Sequence, residues 1–409
     1  MRSGTLPCGL RYAVRRSGHN AAWCALSIAC GTRSEDGFPE GTAHFVEHTI
    51  FRGTARRSAA SINSCLDRLG GELNAYTTKE EIVLHATVLK RDLGKAARLL
   101  FELATEPSFP EKEIQTERGV VLDEIISYKD NPAEDVYDRF ESLLFASHPL
   151  GRPILGTTAS VKKITAAQLK AFVSSRFTPE RMAFTVVADL DEALVERRIS
   201  ALAARLFPGE AEAAEIAPPE PWDCASVFDK VLDKHHHEVN AVIGGTAPSL
   251  YEMPERLEAA MLVNILGGPA SNSLLNRELR EKHGWVYSIE CNYTPYADTG
   301  VVAISFGCDR PQLERCLKAV DRILAGLRDA PLSQRRLDAF RKQLLGQLAI
   351  SSDAGEAQCL SMGKNLMVWG EVMEEGRLKA LLEAITPERL QQMARRIFAP
   401  EKLSRLVYL

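Results

Sequence analysis

The stretch IVLHATVLKRDLGKAARLLFEL (Ile82–Leu103) decides the fold, because the same order of elements recurs later in the chain. Its apolar first part predicts a strand, Asp92 lies in a turn, and the remainder has the spacing of an amphipathic helix. GVVAISFGCDRPQLERCLKAVDRILAGL (Gly300–Leu327) repeats this order, and a proline and a long helical segment follow each copy. A period of about 215 residues is far longer than that of a solenoid and indicates a duplicated domain.

The duplication predicts the fold class and the domain boundaries. We expect two α+β domains, each a mainly antiparallel sheet with helices packed on one face, that together form half of a clamshell. The Pro-, Glu- and Ala-rich segment Pro208–Pro221 lies between the two halves and lacks strand or helix patterning, which is typical of a linker. We therefore predict domains at 1–210 and 222–409, with a linker at 211–221.

Composition excludes several classes of function. The 409 residues include 50 Lys and Arg against 54 Asp and Glu, a balance that offers no basic surface for nucleic acid or anionic lipid. No apolar run approaches the length of a transmembrane helix, so we expect no membrane association. The nine cysteines are scattered and form no CxxC pair, which favours reduced thiols and a cytoplasmic protein.

The segment GTAHFVEHTIFRGT (Gly41–Thr54) carries the chemistry. Thr42 and Gly53 predict the start and stop of a helix of about three turns. On that helix His44, Glu47 and His48 stand at i, i+3 and i+4, and therefore share one face. Two imidazoles one turn apart can bind one Zn²⁺, and the carboxylate between them can accept a proton from water.

A catalytic zinc needs a third protein ligand from elsewhere in the chain. ERGVVLDEIISY (Glu117–Tyr128) predicts a helix on which Glu117 and Glu124 share a face, about 10 Å apart along the axis. Only one of them can reach the metal, and spacing alone does not choose between them. His235, His236 and His237 form a second histidine cluster, but consecutive residues of an extended segment point to opposite faces, so we expect no metal site there.

GTAHFVEHTIFRGT, followed by GGELNAYTTKEE and ERGVVLDEI, resembles the M16 peptidases, the pitrilysin and mitochondrial-processing-peptidase family of inverted zincins. In that family a ligand Glu follows the HxxEH motif after about 76 residues, and Glu124 stands 76 residues after His48. The resemblance therefore implies His44, His48 and Glu124 as ligands of one zinc ion per chain, with Glu47 as general base. It implies that Glu117 supports the metal site from outside the ligand set.

The resemblance also assigns substrate-binding residues. Asn74 and Ala75 match an edge strand beside the zinc helix, where an extended peptide can pair by main-chain hydrogen bonds. LREKHGWVYSI (Leu279–Ile289) matches a segment of the second domain that supplies an Arg and a Tyr to the active site, here Arg280 and Tyr287. Such groups are suitable donors to a developing oxyanion.

These observations predict a zinc metalloendopeptidase that cleaves unfolded peptides or oligopeptides. Relatives of this length often pair, so a homodimer is expected. Two alternatives remain: a non-catalytic or partner-dependent subunit of a processing peptidase, and a module that binds metal or peptide without turnover. The complete set of metal-binding and general-base residues argues against an architectural subunit.

Overall fold

The structure, a computed structural model, describes residues 1–211 and 214–409 and divides into two compact units. The first comprises Met1–Ile125, Arg152–Ile216 and Ala349–Met373. The second comprises Ile126–Gly151, Ala217–Leu348 and Glu374–Leu409. Each unit thus combines most of one half of the chain with a segment of the other half, whereas the predicted domains 1–210 and 222–409 are contiguous.

The predicted linker 211–221 lies between the two halves. Residues 212 and 213 fall outside the described residues, and residues 214–228 form neither helix nor strand. Every helix in the described part of the chain is too short or too polar to cross a membrane.

The regular elements are numbered in chain order. The strands are β1 (Arg2–Thr5), β2 (Arg11–Arg16), β3 (Ala21–Ile28), β4 (Glu72–Thr77), β5 (Ile82–Leu89), β6 (Met182–Ala188), β7 (Asp229–Leu232), β8 (Val239–Ala247), β9 (Val286–Pro295), β10 (Gly300–Cys308) and β11 (Ser404–Tyr408). The helices are α1 (Thr42–Ile50), α2 (Ala59–Asp67), α3 (Leu93–Thr105), α4 (Glu111–Lys129), α5 (Pro132–Leu144), α6 (Thr158–Val161), α7 (Ala166–Arg176), α8 (Glu192–Leu206), α9 (Glu255–Gly267), α10 (Leu313–Asp329), α11 (Gln334–Ser352), α12 (Gly355–Trp369), α13 (Glu375–Glu383) and α14 (Pro387–Ile397). A π-helical segment spans Asn276–Lys282.

The duplicated order of elements is confirmed. In the first copy β5 leads through a short 3-10 turn into α3 and then α4, and in the second copy β10 leads in the same way into α10 and then α11. The α+β prediction is confirmed with it, because each unit is built on one mixed, mainly antiparallel sheet.

The sheet of the first unit has the strand order β1-β2-β6-β3-β5-β4, and only the β2–β6 pair is parallel. Alternate residues of each strand face opposite sides, as the pleat requires. Tyr12 and Val14 of β2 face a core built with helices such as α1 and α3, whereas Ala13 faces α12 on the other side. β4 is the outermost strand at one edge, and α1 lies against it.

Helix α12 covers the second face of this sheet. The sequence analysis expected helices on one face only, so this cover differs from the prediction. Cys359, Met362 and Leu366 pack there against small side chains of the strands. Gly363 permits the close approach, because a Cβ at that position would lie 2.4 Å from Ser27 Oγ. α12 comes from the second half of the chain, so no pattern within the first half could predict it.

The second unit repeats the arrangement. Its sheet has the order β7-β11-β8-β10-β9, with β7 and β11 parallel. One face packs against α9, α10 and α14, and the other is covered by α5, which comes from the first half of the chain. Val136, Phe140 and Leu144 of α5 are buried there.

Candidate metal centre

Helix α1 is fixed at its first turn by a carboxyl group from outside the helix. Glu35 accepts hydrogen bonds from the backbone N–H groups of Gly41, at 3.0 Å, and Ala43, at 2.7 Å. The predicted N-cap, Thr42, is instead the first helical residue, and its hydroxyl donates to the Pro39 carbonyl. The capping position is Gly41, whose φ of +86° is the left-handed conformation that favours glycine.

Three side chains converge on one point, as predicted. His48 Nε2 lies 3.3 Å from Glu124 Oε2, and His44 Nε2 lies 3.7 Å from the same oxygen. Ligand atoms of a tetrahedral zinc, each about 2.0–2.1 Å from the ion, stand about 3.3 Å from one another. Among the described residues this is the one group of three His, Cys, Asp or Glu side chains placed to hold a metal ion.

The donor set fits a divalent cation. Glu124 Oε2 is buried and has no hydrogen-bond partner within the described residues, although two imidazole nitrogens face it. A buried carboxylate oxygen without a partner is costly, and a cation at the centre would satisfy it together with both nitrogens. Burial, with a smaller effect from His48, lowers the pKa of His44 to about 3. The His44 imidazole is therefore neutral near pH 7, which is the form that binds metal.

Glu47 stands beside this group but outside it. Its Oε2 accepts a hydrogen bond of 2.6 Å from the Thr77 hydroxyl at the end of β4. Burial raises the pKa of Glu47, and the Thr77 hydrogen bond opposes that rise. With Oε2 held by Thr77, the other carboxylate oxygen is left to act as a proton acceptor.

Glu117 lies on the opposite side of His48 from Glu124. Its Oε2 is 3.2 Å from His48 Nδ1, so it contacts one ring nitrogen while Glu124 faces the other. The Glu117 side chain is 2% exposed, and Arg52 Nη2 lies 2.6 Å from its Oε1. A carboxylate on the outer nitrogen of a metal-binding His fixes the ring's tautomer and orientation.

The predicted substrate strand is an edge strand. Asn74 and Ala75 lie in β4, where they pair with His85 and Leu84 of β5. β5 lies on one side of β4, and no other strand of the described residues pairs with its second edge. Asn74 is exposed and Ala75 half-buried.

The predicted oxyanion residues belong to the second unit. Arg280 is exposed on the π-helical segment, and Tyr287 is 58% exposed on β9. The Tyr287 hydroxyl donates a hydrogen bond of 2.7 Å to Asp309 Oδ1, which raises the pKa of Tyr287. Their assignment to the metal site stays a prediction.

Sequence reasoning missed three residues that contact the site or its helix: Glu35, Arg52 and Thr77. Each contact joins residues that are distant in the chain or lie outside any recognised motif. A weak signal existed for Arg52, which follows His48 by four residues and so stands one turn beyond it.

Comparisons with known proteins agree with this geometry. Residues 11–158 match the family model described as insulinase (peptidase family M16), and residues 163–344 match the model of the peptidase M16 inactive domain. A Streptomyces coelicolor protein named an uncharacterized zinc protease is 29% identical over 97% of this chain and 86% of its own length. A Bacillus subtilis protein of the same description is 28% identical over 92% of this chain and 91% of its own length.

Solved structures show the same fold. A protease from Helicobacter pylori superposes with a TM-score of 0.89 at 20% identity, covering 100% of this chain and 98% of the other. A peptidase M16 inactive-domain protein from Pseudomonas fluorescens gives 0.86 at 20% identity, covering 100% and 97%. The two family models between them span most of the chain, and the peptidase model precedes the inactive-domain model. The chain belongs to peptidase family M16.

Proposed function

We propose that this protein is a zinc metalloendopeptidase that hydrolyses peptide bonds in unfolded peptides or oligopeptides. The convergence of His44 Nε2, His48 Nε2 and Glu124 Oε2 carries the proposal. Two nitrogens and one oxygen are the donor set of several catalytic zinc sites, and three protein ligands leave a fourth position for water or substrate. The relatives named zinc proteases support zinc as the metal. One ion per chain is part of the proposal.

Zinc in this site would supply Lewis-acid polarisation of the scissile carbonyl and of a water molecule. Glu47 then accepts the proton of the attacking water and delivers it to the leaving amine. Burial raises the pKa of Glu47 above its ordinary value, which makes its carboxylate a stronger proton acceptor than an exposed one. Thr77 keeps this carboxylate in one orientation.

The substrate binds, in this proposal, as an added strand along β4. Main-chain hydrogen bonds along the edge of β4 at Asn74 and Ala75 would hold an extended peptide beside the zinc helix, and this would give a preference for unfolded chains. Arg280 and Tyr287 are proposed to hold the substrate carbonyl from the second unit, on the strength of the family resemblance.

A panel of quenched fluorescent peptides tests the proposal. We expect cleavage that o-phenanthroline abolishes and that added Zn²⁺ restores. Glu47→Gln should bind zinc and peptide like the wild type but cleave at a rate lower by at least about 10²-fold, since proton transfer by a positioned group contributes about 10²–10⁴-fold. Equal cleavage by wild type and Glu47→Gln would refute the assignment of Glu47.

The same assay separates the rival functions. A partner-dependent subunit would bind about one zinc per chain and cleave nothing alone, and a binding module would bind peptide without turnover. The intact set of ligands and base favours turnover over a non-catalytic subunit or a binding module, because neither of these needs Glu47 beside the metal.

We further propose a cytoplasmic homodimer. Seven of the nine free cysteines are buried, which suits a reducing compartment. The pairing rests on the behaviour of relatives of this length. Light scattering on the purified protein should give twice the chain mass of 45.1 kDa, and a monomer mass would refute the dimer.

A further inference from the structure

We propose that Arg52 is a positioning residue of the metal centre, which holds the Glu117 carboxylate against His48 and thereby fixes the ring nitrogen that faces the metal. The inference rests on the proposed zinc site and adds to it a residue that lies outside the HxxEH motif. Arg52 touches no metal ligand directly in this role; it acts through Glu117.

The contacts form one continuous chain of side chains. Arg52 Nη2 lies 2.6 Å from Glu117 Oε1, Glu117 Oε2 lies 3.2 Å from His48 Nδ1, and His48 Nε2 faces Glu124 Oε2 at 3.3 Å. Each oxygen of Glu117 therefore has a different neighbour. Loss of the contact on Oε1 frees the carboxylate to rotate away from the imidazole.

The chain of contacts also joins the two helices that supply the ligands. Arg52 follows the C-cap residue of α1, and its backbone N–H is fixed by a hydrogen bond of 3.0 Å to the Thr49 carbonyl. Glu117 lies on α4, two turns before Glu124. The Arg52–Glu117 pair thus ties the end of the two-histidine helix to the helix of the third ligand.

Burial distinguishes this pair from an ordinary surface ion pair. The Glu117 side chain is 2% exposed and that of Arg52 is 34% exposed. Exposed pairs contribute little because water solvates both partners. A buried carboxylate has no such substitute. Within the described residues Glu117 Oε1 has no hydrogen bond, and the charged group that lies 2.6 Å from it is the Arg52 guanidinium.

The contact between the two side chains joins one guanidinium nitrogen, Arg52 Nη2, to Glu117 Oε1. Arg52 Nε is buried without a hydrogen-bond partner among the described residues. A single-point contact is one that an ammonium group can also make, whereas a fork-shaped contact is not. Lysine at this position should therefore keep much of the effect, and methionine should lose it.

The test compares zinc affinity among Arg52→Met, Arg52→Lys and the wild type by competition with a chromophoric chelator. Loss of an outer partner of a metal ligand, here Glu117, lowers metal affinity by about 10–100-fold. Arg52 acts one contact further out, so we expect a loss of up to that size in Arg52→Met and a smaller one in Arg52→Lys. The absorption spectrum of the Co²⁺-substituted protein should change in Arg52→Met, because the His48 ring is reoriented. Arg56→Met is the matched control, since Arg56 pairs with Glu106 at the surface and should change neither readout.

A double-mutant cycle with Glu117→Gln tests whether Arg52 acts through Glu117. In the Glu117→Gln background, Arg52→Met should cause no further loss of zinc affinity, because the two effects share one pathway. A full additional loss would overturn the inference. Thermal unfolding of the metal-free variants reports any general loss of stability, and if Arg52→Met does not fold, Arg52→Gln takes its place with the same expected order of affinities.

The outcomes separate the inference from the proposed function. Failure of the wild type to bind zinc would overturn both. Tight zinc binding by the wild type with unchanged affinity in Arg52→Met would overturn the role of Arg52 alone. Lower affinity in Arg52→Met that Arg52→Lys recovers, with Arg56→Met unchanged, supports it.

Discussion

Replacing Thr77 with valine should slow peptide cleavage while leaving the metal in place. The substitution removes the hydroxyl that donates to Glu47 Oε2 at 2.6 Å and keeps the branched shape of the side chain at the end of β4. A hydrogen bond to a charged group contributes about 1.5–3 kcal/mol. If all of it orients the base, and each 1.36 kcal/mol is about tenfold in rate, kcat should fall by about 10–150-fold.

The assay is cleavage of a quenched fluorescent peptide at saturating zinc, with kcat and KM determined separately. We expect the loss in kcat, because the hydroxyl contacts the base and not the substrate. Thr77→Ser retains a hydroxyl and should stay within a few-fold of the wild type. Thr87→Val is the control, because Thr87 lies on β5 opposite Glu72, at the other end of the β4–β5 ladder.

Zinc content measured on the same samples separates orientation of the base from loss of metal. An unchanged kcat in Thr77→Val would refute the idea that this hydrogen bond orients Glu47. A fall in kcat that follows a fall in bound zinc would refute it as well, because the hydroxyl would then act on the metal site as a whole.

Three further predictions concern the metal, pH and packing. Zinc at about 1,000 times its Kd should stabilise the wild type by about 4 kcal/mol, and His44→Ala should lose that gain in thermal unfolding. Burial raises the pKa of Glu35 to about 8 from an ordinary value of 4.5, so the folded state keeps a proton that the unfolded state has released. In urea titrations of the metal-free proteins, the stability of the wild type relative to Glu35→Gln should therefore fall as pH rises from 4.5 to about 8, because the other titrating groups contribute equally to both. Gly363→Ala places a Cβ 2.4 Å from Ser27 Oγ and should lower the free energy of unfolding by about 1–3 kcal/mol, whereas no change would show that α12 can shift on the sheet.

The proposed metal ligands on α1 could be predicted because their spacing is local. His44 and His48 share a helix face whatever the rest of the chain does. The choice between Glu117 and Glu124 was different, since both share a face of α4 and only the family resemblance decided between them. The structure gives the physical reason for the ambiguity: the two carboxylates contact the two nitrogens of one ring, that of His48.

The remaining contacts of the site could not be predicted, because they join distant residues. Thr77 reaches Glu47 from 30 residues away, and Arg52 meets a carboxylate on another helix. The extreme case is given by α5 and α12, the helices exchanged between the two halves of the chain. The Thr185 hydroxyl donates to the Cys359 carbonyl of α12 across 174 residues. Hydrophobic periodicity predicts that a strand has two apolar faces, but it does not say which later helix will cover the second one.

The exchange of α12 has a consequence for the order of events during synthesis. Residues 349–373 belong to the unit that holds the proposed metal ligands, yet they are synthesised only after residues 217–348 of the other unit. Until then one face of the six-stranded sheet, including Ala13, Ala25 and Val83, has no cover. We expect the nascent metal-binding unit to remain sensitive to protease when the chain is arrested at residue 348, and to become resistant once Trp369 has emerged. The unit that would cleave other chains is thus itself incomplete until most of the second unit has been made.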